Sequence, residues 1–116
     1  MSGDLRDQVR RELLNEAREV ASQLYRAPTR IMFRSVAAPA WDSAFHGSGL
    51  RLVPVAVYDR AGWLAEPATT HTHRIRSADI RRLGQLAAVL CRAWNIPLPA
   101  VGATMTLALD HQDDDA

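Results

Sequence analysis

The sequence predicts an α+β domain. Two amphipathic helical periods flank a run of β-prone segments, and a final alternating stretch adds one more strand. The expected order is α-β-β-β-α-β, a mixed sheet of about four strands with a long N-terminal helix and a second helix packed on it.

Leu5, Val9, Leu13, Ala17, Val20 and Leu24 recur at steps of three and four, which is one apolar face of a helix over residues 4–26. Leu14 and Ala21 widen that face, and Ser2 or Asp4 is placed to cap the start. Ala27-Pro28 is the expected stop, because a residue before proline avoids the helical region. Such a helix is roughly 35 Å long. That exceeds what a domain of this size must cover, so part of it is expected to face a partner.

Arg30–Val36 is expected to be a strand, and Ala37–Gly49 a loop, given Pro39, Gly47 and Gly49. Leu50–Tyr58 is the most strand-like stretch, and Pro54 within it argues for an edge position or a bulge. Asp59–Gly62 reads as a hairpin turn, Trp63 and Leu64 start the return, and Thr69–Arg76 continues extended. Ser77–Trp94 is the second helix: Ser77 is a capping residue, Asp79 suits the positive end of the dipole, and Ile80, Leu83, Ala87, Leu90 and Trp94 form its stripe. Asn95 can take the left-handed conformation that ends a helix, and Pro97 blocks continuation. Ala103–Leu109 alternates as a half-buried strand, with Met105, Leu107 and Leu109 on one face. Residues 1–109 read as one domain, and 110–116 as a frayed acidic tail.

The 116-residue length, 47% apolar content and 23% charged content are ordinary for one globular domain. Cys91 is the single cysteine, so no intramolecular disulfide forms, which points to a reducing compartment. Early charges from Asp4 to Glu12 interrupt any signal-like apolar run, and the longest uncharged run, Ala93–Leu109, is broken by two prolines and a glycine. The expectation is a cytoplasmic protein with no membrane segment.

All cations are arginine, and net charge is +1. Residues 67–109 hold Arg74, Arg76, Arg81, Arg82 and Arg92 against Asp79 alone, and the tail that follows is acidic.

Arg74, Arg76, Arg81 and Arg82 form a patch where extended chain enters the second helix, which is the basis of a nucleic-acid-binding alternative. The patch lacks the interleaved aromatics of single-strand binders. His71 and His73, two apart on an extended segment, would project from one face, and His46 is a possible third ligand; this is a metal-binding alternative with no carboxylate or thiolate nominated beside it. Asp42, His46 and Ser48 do not form a nucleophile elbow, and no phosphate loop, dinucleotide fingerprint or paired-cysteine motif is present. Neither catalysis nor a cofactor is expected.

Trp94 is expected in the core, and Trp41 and Trp63 tucked onto it. The leading expectation is a non-enzymatic protein-protein interaction or assembly module, possibly homo-oligomeric. Its contact surface would be the outer face of the first helix: Arg10, Arg11, Glu12, Glu16, Arg18 and Glu19.

Overall fold

The structure is a computed structural model that describes residues 2–42, 49–67 and 77–109. Helix α1 spans Ser2–Leu24, strand β1 Arg30–Ala37, strand β2 Leu50–Tyr58, helix α2 Ser77–Ala93 and strand β3 Thr104–Ala108. A 3-10 turn, Ala40–Asp42, follows β1. The α+β class holds. The sheet among the described residues is three-stranded, in the order β2-β1-β3, and β1 pairs antiparallel with both neighbours.

That arrangement corrects the expectation of a mixed sheet. The crossover through α2 does leave β2 and β3 parallel to one another. The central strand β1 lies between them, so no parallel ladder forms between those two strands. The expected third strand, 69–76, lies outside the described residues. Its approach is visible: the Asp59 carboxylate accepts from the N–H groups of Ala61 and Trp63, Gly62 turns at φ 88°, and Leu64 makes a single bridge to Tyr58.

Helix α1 ends at Leu24, before the expected stop; Ala27 takes a left-handed φ of 45° ahead of Pro28. At the end of α2, Asn95 sits at φ 56° and the Ile96 N–H reaches back to the Cys91 carbonyl at 2.8 Å, the closure that Asn-Ile-Pro favours. Pro54 sits on an edge strand as its missing N–H requires. The register slips beside it, from Met32↔Ala56 to Phe33↔Pro54, which leaves Val55 as the bulged residue.

Both helices cover one face of the sheet. Ile31 and Phe33 of β1, Leu52 and Val57 of β2, and Leu109 after β3 meet Ala17, Ala21 and Leu24 of α1 and Leu83, Leu86 and Ala87 of α2 in one buried cluster. The other face carries Arg30, Met32, Arg34 and Val36 of the central strand, alternately exposed and half-buried. The first turns of α1 run past the core, so Leu5 is 63% exposed and Val9 is also open to solvent.

Helix α2 sits so low on β2 that a Cβ on Gly84 would lie 2.1 Å from the Leu52 carbonyl oxygen. Main chain cannot swing aside as a side-chain tip can. A glycine-to-alanine change in an open helix gains up to about 1 kcal/mol. Here the sign reverses: Gly84→Ala should lose at least about 2 kcal/mol, read as a lowered urea midpoint. Ser35 is fully buried, and its hydroxyl has no hydrogen-bond partner among the described residues. Ser35→Ala should therefore raise that midpoint, by about 1 kcal/mol.

Candidate functional site

The seam between the helices consumes much of the charge. Helices α1 and α2 run antiparallel, so the first turns of α1 reach the C-terminal end of α2. There Arg6 donates to the Ala93 carbonyl at 2.7 Å, a cation placed on the negative end of a helix dipole. The guanidinium carbons of Arg6 and Arg10 lie 6.0 and 5.6 Å from the centre of the Trp94 ring, within cation–π range. At the other end of α2, Arg82 pairs with Glu16, its Nε at 3.0 Å. Arg18 donates from Nε to the Leu109 carbonyl at 3.0 Å and so ties α1 to the end of β3.

These contacts divide the residues expected on the outer face of α1. Arg11, Glu12 and Glu19 are exposed, and Glu12 accepts from Gln8. Arg10 leans over Trp94, while Glu16 and Arg18 turn into the fold. The arginine patch is likewise divided. Arg81 pairs with Asp42, which also lies 3.5 Å from Arg51, and Arg82 pairs with Glu16. Arg74 and Arg76 lie outside the described residues, as do His46, His71 and His73. Among the described residues no group of three or more His, Cys, Asp or Glu side chains gathers as a metal site, and no helix is long and apolar enough to cross a membrane.

The tryptophans depart from expectation. Trp94 is half-buried rather than core: its ring packs under Arg6 and Arg10 and lines a cavity beside β3. Trp41 and Trp63 are 84% and 74% exposed, held out by the 3-10 turn and by the Asp59 turn.

The two edges of the sheet differ. On β2 the bulge at Val55, Pro54, the bridge from Leu64 and the contact of Gly84 on Leu52 all obstruct pairing. Strand β3 (TMTLA) has no charge and no proline, and its pairing with β1 shows no bulge. The Ser35 N–H donates to Ala103 and the Leu109 N–H to Thr29, so the odd-numbered residues of β3 bond to β1. Alternation then turns the main-chain groups of Thr104, Thr106 and Ala108 outward. Among the described residues no strand pairs with them. Periodicity showed the strand but could not show which side of it stays open.

Beside this edge, α1, α2 and β3 enclose a cavity of about 290 Å³ with mainly apolar walls, including Leu14, Leu90, Met105 and Leu107. Cys91 also borders it, and its thiol donates to the Met105 sulfur at 3.6 Å.

No protein-family model, curated protein or solved structure matches this chain.

Burial pushes the Cys91 thiol pKa above its ordinary value, because desolvation penalises the thiolate. A raised folded pKa means that the thiol's contribution to stability is complete below the unfolded pKa. It is lost as pH rises through the folded pKa. Alkylation of Cys91 by iodoacetamide should accordingly be slower in the folded protein, with its rise displaced to higher pH than in the urea-unfolded chain. Superimposable pH profiles would contradict this.

Proposed function

We propose that this chain is a non-enzymatic assembly module that associates with a second copy of itself through the outer edge of β3. The unobstructed edge carries this reading, set against a β2 edge that is blunted in four ways.

The sequence of β3 suits self-pairing. An antiparallel pair centred on Thr106 sets Thr106 opposite Thr106 and Thr104 opposite Ala108 on the open face. On the helix side, Met105 meets Leu107. Polar meets polar or small, apolar meets apolar, and no charge is brought against its like. The outward main-chain groups at Thr104, Thr106 and Ala108 supply the hydrogen bonds, in the manner of strand addition. The pair would carry two copies of the exposed first turns of α1, with Leu5, Val9, Arg11 and Glu12 available to further contacts.

Thr106 is exposed, so Thr106→Lys leaves the protomer fold intact while placing two ammonium groups face to face across the pair. Size-exclusion chromatography with light scattering should give a dimer or a multiple of it for the wild type. Thr106→Lys should give the monomer mass, with unchanged circular dichroism. A wild type that is monomeric at every concentration, or a variant of wild-type mass, refutes the reading.

A further inference from the structure

The cavity between α1, the C-terminal half of α2 and β3 has a chemistry that strand pairing does not use. Its volume, about 290 Å³, is at the small end of ligand-sized pockets. Leu14, Ala87, Leu90, Met105 and Leu107 make its walls apolar. Among the described residues Arg10 is the one charged side chain that lines it. Its guanidinium is placed over the Trp94 ring, which also lines the cavity, at 5.6 Å from the centroid. Among the described residues Arg10 makes no ion pair, in contrast to Arg51, Arg81 and Arg82. An apolar slot with one cation on its lining that no described residue neutralises is complementary to a molecule with one anionic end and an apolar body. A carboxylate matches a guanidinium in charge and in planar, two-point hydrogen bonding.

We propose that this cavity binds a small amphipathic carboxylate, with its head group on Arg10 and its apolar tail between Leu14, Leu90 and Leu107. The site adjoins the proposed assembly edge: Met105, Thr106, Leu107 and Ala108 of β3 all line the cavity, whereas pairing takes the outward main chain of Thr104, Thr106 and Ala108. Trp94 reports occupancy because it is part of the lining, and Cys91 does so because it borders the same space.

Octanoate is the probe. In a Trp41→Phe/Trp63→Phe background Trp94 is the remaining tryptophan, and the two exposed positions replaced lie outside the cavity. Octanoate should give a saturable change in Trp94 emission, and in the wild type it should slow alkylation of Cys91 by iodoacetamide. Octanol and octylamine, with the same tail and a neutral or cationic head, should bind at least about tenfold more weakly. Arg10→Gln should weaken octanoate by a similar factor, while Arg11→Gln, one residue along and not lining the cavity, should leave it unchanged. Octanol or octylamine binding as tightly as octanoate overturns the proposal, and so does an Arg10→Gln variant of full affinity. Absence of both saturation and protection overturns it equally. Should Arg10→Gln fail to fold, the comparison of head groups on the intact protein decides.

Discussion

The depth at which α2 sits on β2 governs most of what surrounds it. At Gly84 the helix backbone approaches the Leu52 carbonyl so closely that no other residue fits without moving main chain. This contact presses Leu83, Leu86 and Ala87 into the core against Leu52 and Phe33. Beyond that anchor, the C-terminal end of α2 carries Trp94 beneath Arg6 and Arg10. Helix α1 then takes its position from α2, through Arg6 on the Ala93 carbonyl at one end and Glu16 on Arg82 at the other. The cavity beside β3 is the space that remains between α1, the C-terminal half of α2 and β3.

The same geometry explains why the charge pattern along the chain is a poor guide to its surface. Arg18, Arg81 and Arg82 look available in the sequence but are engaged by Leu109, Asp42 and Glu16. Their partners lie far away in the chain, and the pairings exist only once it is folded. The two ion pairs are partly solvated, so each adds little stability. They neutralise Arg81 and Arg82 without burying them, while Arg11 on α1 and Arg30 and Arg34 on the open sheet face are exposed.

The edges of the sheet follow from strand order. Among the described residues, placing β1 in the centre makes β2 and β3 the two edges, and only the first is protected. Pro54, the Val55 bulge and the Leu64 bridge all fall on β2. The short uncharged β3 is protected by nothing among the described residues, and it adjoins the cavity on its inner side. The open β3 edge and the cavity are thus consequences of one topological choice, the return of the chain through α2 to the far side of β1.

Local signals were sufficient for the elements themselves. The apolar stripes of both helices, the termination of α2 at Asn95, the edge character of β2 from Pro54, and the inward set Met105, Leu107 and Leu109 all depend on residues within a few positions of one another. Such features are determined by covalent geometry and periodicity, and the chain alone carries them. Strand order, the approach at Gly84, the pairing of Glu16 with Arg82 and the exposure of Trp41 and Trp63 depend on residues brought together from distant parts of the chain. Helical periodicity placed Trp94 in line with the core because it registers direction around an axis and not how closely the neighbouring elements pack at each level along it. Among the described residues, the sequence by itself determined which segments are helix or strand and which face of each is apolar. Only the tertiary structure decided which edge stays open and where a cavity remains, because both depend on what fails to meet when those faces are packed.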